Sequence, residues 1–211
     1  GQPGIKRVVD TAYTVSGNPE GQTNGLLRGL DNWIYSAGFG SSKRYRYKNG
    51  HWLTEKTILR GQWGISQDDY GHLFYNNNSQ NLLGDYFLPG LLPPANRLHD
   101  VAGYDERIVA DNRVYPARKT HGVNRGYKPG TLDDSGRLVM LTAACGPLIY
   151  RGGALGPGFD GNAFVAEPAA NLVKRDLLDS QGTVISGRLA YQGKEFLAST
   201  DERFRPVNLT G

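Results

Sequence analysis

A single cysteine, Cys145, in a chain of 211 residues excludes an internal disulfide, a cysteine-rich zinc site and a Cys-x-x-Cys-His haem attachment within these residues. Histidine is scarce as well: there are 4, none in a His-x-x-x-His spacing, so a histidine-based metal site has no local scaffold. No apolar run approaches the ~20 residues that span a bilayer, and Gly1 to Lys6 lacks the basic-then-apolar layout of a signal peptide. Lys+Arg 24 against Asp+Glu 20 leaves a net charge of +4, with the basic residues scattered rather than blocked. That distribution argues against nucleic acid as a partner. Hydrophobic residues at 38% are enough for a folded core.

What the chain has in quantity is glycine, 29 residues, with 11 prolines. Glycine at this density works against long helices and favours short strands joined by tight turns. The segment Asn24 to Tyr35 reads as an apolar strand, a Gly29-Leu30-Asp31-Asn32 turn and an aromatic, β-branched strand. The same layout returns from Gly64 to Tyr75, and again, with a stretched turn, at Gly146 to Tyr150 and Gly161 to Val165. Gly25 and Gly64 are 39 residues apart, Tyr35 and Tyr75 are 40 apart, and Gly64 and Gly146 are 82 apart, close to twice the first interval. A period of ~40 residues holding several short strands marks β-propeller blades. Lys43 to Tyr47, the Asn49-Gly50 turn and Trp52 to Leu59 supply the outer hairpin of the first blade. The fold expected is therefore all-β, a propeller of four-stranded blades in a single domain over residues 1–211. Pro168 to Leu178, opened by proline, is the best candidate for a helix, while the preceding run Ala163-Phe164-Val165 reads equally well as a strand entering a turn.

Residues from about 88 to 137 break the period. They are rich in Pro, Gly, Asn, Asp and Arg, and predict a long excursion without regular structure, either a lid or disordered. In a propeller the innermost strands line the central channel and the loops leading into them form its mouth. Those loops would be Gly21 to Asn24, Arg60 to Trp63 (which includes Gln62), Ala143 to Cys145 and Arg203 to Pro206. Arg60, Arg203 and Arg205 thus stand at equivalent places, as an anion site or as separate ion pairs.

The runs Asn24 to Tyr35, Arg60 to Asn78, Gly122 to Tyr127, Ala144 to Gly152, Glu167-Pro168 with Asn171 to Arg175, and Phe196 to Leu209 together resemble a bacterial membrane-bound dehydrogenase domain family. That family is similar to the soluble glucose/sorbosone dehydrogenases that use pyrroloquinoline quinone (PQQ). The resemblance covers nearly the whole chain. It implies a six-bladed propeller with PQQ and Ca²⁺ at the channel mouth, a sugar or alcohol substrate, a cytochrome as electron acceptor, and a periplasmic or extracellular location. Carried over by position, Arg60, Gln62, Arg203 and Arg205 would bind the cofactor, and Asn78 and Ser79 would offer backbone oxygens to calcium. The position of the catalytic histidine is Gly21, which cannot accept a proton, so His121 on the excursion is the candidate base; otherwise it is a solvated loop residue. His51, His72 and His99 are read as structural or surface residues, Asp31 and Asp68-Asp69 as turn formers, and Cys145 as a buried, unreactive thiol.

Two functions follow. One is a quinone-dependent oxidoreductase in which the protein supplies binding and the cofactor the redox chemistry. The other is a non-catalytic propeller whose mouth binds a glycan or a protein, with Trp33, Trp52, Trp63 and the tyrosines as stacking surfaces. With the excursion set aside, about four units of ~40 residues remain. An incomplete arc with exposed strand edges at both ends is expected.

Overall fold

The computed structural model describes residues 4–14, 18–38, 43–94, 100–121, 123 and 126–211. It is all-β. Thirteen strands are present among the described residues: β1 (Asn24–Arg28), β2 (Ile34–Ala37), β3 (Lys43–Lys48), β4 (His51–Lys56), β5 (Ile65–Gln67), β6 (Leu73–Asn77), β7 (Gln80–Gly84), β8 (Glu106–Val109), β9 (Cys145–Ile149), β10 (Ala163–Glu167), β11 (Leu172–Gln181), β12 (Val184–Leu189) and β13 (Leu197–Ala198). They form three antiparallel sheets, ordered β1-β2-β3-β4, β5-β6-β7-β8 and β9-β10-β11-β12, with β13 paired to the far side of β11. The four strands of each path form a meander, each paired with its neighbour in sequence, and β13 alone among the named strands returns to pair with an earlier one, β11.

The turns explain why these segments pair where they do. Asp31 accepts hydrogen bonds from the Trp33 amide at 3.1 Å and the Tyr35 hydroxyl at 2.6 Å, which folds the β1–β2 connection back on itself. Asp68 does the same for β5–β6, accepting from the amides of Tyr70 and His72. The Asn49-Gly50 pair has φ of 49° and 86°, the positive values that a two-residue hairpin turn requires.

Two apolar layers lie between the sheets. Trp33, Tyr35, Ala37, Ile65 and Leu73 fill the space between the first and second. Phe74, Leu82, Ile108, Val109, Val165, Leu172, Ile185 and Leu189 fill that between the second and third. Adjacent residues of β6, Leu73 and Phe74, belong to different layers because successive strand side chains point to opposite faces.

Three expectations change. Pro168 to Leu178 is turn and strand, not helix: Asn171 takes φ of 56° to turn the chain, and Leu172 begins β11. The excursion at about 88–137 is not structureless throughout. Glu106–Val109 within it is the fourth strand of the second sheet. Beyond β8, the backbone bridges Arg113 to Met140 and Leu132 to Leu138, and it buries Val114, Leu138 and Leu141 in the larger core. Its apolar residues, spaced without period, are spent on tertiary packing. Last, the described residues hold three complete sheets where the repeat arithmetic gives about four units. That count already sets the excursion aside, so the difference is chain used in the stretches before β1 and after β13.

Candidate functional site

The three recurrent glycines of the sequence meet in space. A Cβ on Gly25 would lie 2.8 Å from the Gly64 Cα, one on Gly64 would lie 2.9 Å from the Gly146 Cα, and one on Gly146 would lie 2.7 Å from the Asn208 Cα. The starts of β1, β5 and β9 and the C-terminal segment therefore abut, backbone against backbone. Side chains and amides lock the junctions. Asn24 donates its Nδ2 to the Gln62 carbonyl at 2.7 Å and accepts the Gly64 amide on Oδ1 at 2.8 Å. The Gly146 amide donates to the Trp63 carbonyl, and the Ala144 amide to the Asn78 carbonyl.

A cleft of about 580 Å³ opens at this junction. Its polar and aromatic lining includes Glu20, Asn24, Trp63, Asn78, Thr142 and Cys145. The indole of Trp63 is held by a 2.9 Å bond from Nε1 to the Asn78 Oδ1. The Thr142 hydroxyl is buried without a partner. Burial, with the charge of Glu167 behind it, pushes the Cys145 thiol up to about 12, so it is a neutral, inert wall group. Glu167 lies behind the cleft, fully buried, and accepts the amides of Thr142, Ala143 and Ala169. Burial raises its carboxyl to about 7 against the opposing pull of those amides.

The residues singled out from the sequence are distributed more widely. Gln62 is buried beside the cleft, where it donates to the Glu20 carbonyl at 3.3 Å and accepts from the Asn78 amide at 3.4 Å. Arg60 is only 3% exposed and faces a different space. Its Nε donates to Asp85 at 2.6 Å and its Nη1 to Thr57 and the Ile58 carbonyl. Arg203 and Arg205 are exposed and line no part of the cleft. His121 is likewise exposed and outside the lining. Asn78 is at the cleft, and Ser79 follows it in the β6–β7 turn, its amide donating to Asn77. Gly21 ends a 3-10 turn, Pro19–Gly21, with open space where a side chain would stand. His99 falls outside the described residues.

This arrangement can be compared with what PQQ and calcium need. The quinone is a tricarboxylate, and the cleft lining contains no arginine or lysine but does contain Glu20. Both oxygens of Asn78 already accept hydrogen bonds, from Trp63 and Ala144. Among the described residues no group of three His, Cys, Asp or Glu side chains gathers to hold a cation. The cleft lining thus offers no cation to the quinone's carboxylates.

Glu20, Thr142 and Glu167 were not distinguishable in the sequence as site residues. Glu20 lies outside the repeat and Thr142 in the chain just ahead of β9, while Glu167 is marked only by the proline after it. Trp63 and Asn24 had a signal in their fixed places ahead of, and within, the recurring strand. No curated protein and no solved structure matches the chain. Residues 5–211 match the Domain of unknown function (DUF7133), and over that span the chain belongs to this family.

Proposed function

We propose that the three sheets are consecutive blades of a β-propeller and that the cleft at their converging inner strands binds a neutral polyhydroxylated ligand, a sugar or related alcohol. One observation carries this reading: free hydrogen-bonding groups of both kinds stand around an indole. Among the described residues the Glu20 carboxylate and the Asn78 Nδ2 have no partner, and the Thr142 hydroxyl has none. Trp63 supplies an apolar face beside them. Ligand clefts of this size are commonly apolar with a few convergent polar groups, and a sugar ring presents both surfaces. Abutting glycine backbones support the propeller, because inner strands of neighbouring blades crowd toward one axis. Fold alone does not assign function, so the reading rests on the cleft's chemistry. It favours the binding module over the quinone oxidoreductase.

Tryptophan fluorescence titration with a panel of mono- and disaccharides tests it. Saturable quenching is expected, lost in Trp63→Phe and weakened about tenfold in Asn78→Ala, a loss of about 1.4 kcal/mol that suits one or two hydrogen bonds. No saturation with any sugar overturns the proposal. Saturable binding of PQQ in place of the sugars assigns the cleft to the cofactor instead.

A further inference from the structure

The outer hairpin of the first sheet carries a second concavity, remote in sequence from the cleft. Ile34 of β2 pairs with Tyr45 of β3, but β3 and β4 run on together to Lys48 and His51. The hairpin thus overhangs the β1–β2 turn and leaves a notch of about 520 Å³ beneath it. Arg28, Asn32, Arg46, Tyr47, Lys48 and Trp52 line the notch, with no carboxylate among the lining residues.

The charges here are in excess. Elsewhere on the same sheet the cations are matched, Lys43 to Asp10 and Arg44 to Glu55. Arg28, Arg46 and Lys48 have no ion pair among the described residues. The guanidinium carbons of Arg44 and Arg46 both lie 4.3 Å from the Trp33 ring centre, so the ring fixes Arg46 without neutralising it. The Arg46 Nε is buried with no hydrogen-bond partner. Beside it stand two aromatic rings that a soluble surface would not normally present together. Tyr47 is 61% exposed and Trp52 43% exposed, with ring centres 5.4 Å apart. His51, opposite Lys48 in the hairpin, is the remaining titratable group on this overhang.

We propose that this notch binds an acidic glycan, whose carboxylates or sulfate esters meet Arg28, Arg46 and Lys48 while a sugar face rests on Tyr47 and Trp52. Guanidinium forks suit such planar anions. A nucleic acid would need a track of cations for successive phosphates, and here the neighbouring Lys43 and Arg44 are already paired. Three charges without an ion pair around one notch suit one or two anionic rings.

The test is calorimetric titration of the full chain at low ionic strength with trigalacturonate, a neutral trisaccharide and a single-stranded oligonucleotide. Trigalacturonate is expected to bind saturably, about tenfold or more weakly in Arg28→Gln/Lys48→Gln and in Trp52→Ala, and more weakly as salt is raised. Each altered side chain is at the surface, so thermal melting is expected to be unchanged. A neutral trisaccharide, if it binds, does so in the cleft and is untouched by these substitutions. Trigalacturonate affinity that ignores the double substitution overturns the proposal. So does a neutral trisaccharide weakened to the same degree, or an oligonucleotide that binds more tightly and is lost with the same changes.

Discussion

At the scale of single residues, the buried ionisable groups decide what the protein tolerates. Arg60 and Asp85 have side chains 2% and 1% exposed and meet at 2.6 Å. Asp85 also accepts the Tyr75 hydroxyl and the Asp105 amide, so removing the arginine leaves a desolvated carboxylate with neutral partners only. Breaking such a pair costs about 3–5 kcal/mol. Arg60→Met is expected to lower the unfolding free energy by that amount in urea titration, whereas Arg203→Ala and Arg205→Ala, at exposed positions, change it by less than about 0.5 kcal/mol. An equal, small effect for all three would mean that Arg60 is not the structural ion pair described. A second consequence concerns pH. Burial raises Asp176 to about 7, the nearby Lys174 and Asn81 pulling against it, and burial likewise raises Glu167 to about 7. A carboxyl that binds its proton more tightly when folded favours the folded state at low pH, and this advantage is lost as pH climbs from the ordinary carboxyl range through 7. Stability is therefore expected to fall between about pH 4 and 7 on account of these two groups. Asp176→Asn is expected to flatten that decline, read as the melting temperature across the same pH series. An unchanged slope would sink the assignment to Asp176.

At the scale of strands and turns, much of the fold was legible because the turns demand particular residues. Gly25, Gly64 and Gly146 recur at multiples of about forty because each must combine a positive φ of 65°, 85° and 54° with direct contact between backbones. Two requirements at one position leave only glycine, so the period survives in the sequence. This gives a graded prediction. Gly50 has φ of 86° but open space around its Cβ, so Gly50→Ala bears only the left-handed penalty of about 1–2 kcal/mol. Gly64→Ala adds a clash with Gly146 backbone at 2.9 Å, which no rotamer relieves, and is expected to destabilise clearly more than Gly50→Ala in denaturant titration. Equal losses would remove the close junction from the account. Where partners are distant, the sequence was mute. Arg60 sits at the same place in the repeat as a channel arginine would, and only the fold shows that its acceptor is Asp85, at the end of β7. Strand β8 escaped because Glu106-Arg107-Ile108-Val109 is too short to show alternation within a loop-like composition. The cleft was half visible: its Asn24 opens the first repeat and Trp63 immediately precedes the second, while Glu20 and Thr142 are brought there by chain outside it.

For the whole molecule, the decisive question is whether the segment after β8 is a lid or a part of the core. A lid would open without disturbing the sheets. Here Leu138 is fully buried in the layer between the second and third sheets, and the backbone around it is tied down, with Leu138 donating to the Thr120 hydroxyl and Val139 to the Thr131 carbonyl. The two apolar layers are themselves joined through β6, which gives Leu73 to one and Phe74 to the other. Damage at Leu138 should therefore reach the first sheet. Removing a buried leucine side chain costs about 2–5 kcal/mol through lost transfer energy and the cavity left behind. The three tryptophans provide a reporter that is well placed, since Trp33 and Trp52 belong to the first sheet and its hairpin and Trp63 to the approach to β5, none of them in the segment itself. Leu138→Ala is expected to shift the tryptophan-monitored urea midpoint down by the full loss, in a single transition that coincides with far-ultraviolet circular dichroism. A midpoint that stays in place while the segment becomes open to proteolysis would show instead that it folds and unfolds on its own, as a lid does.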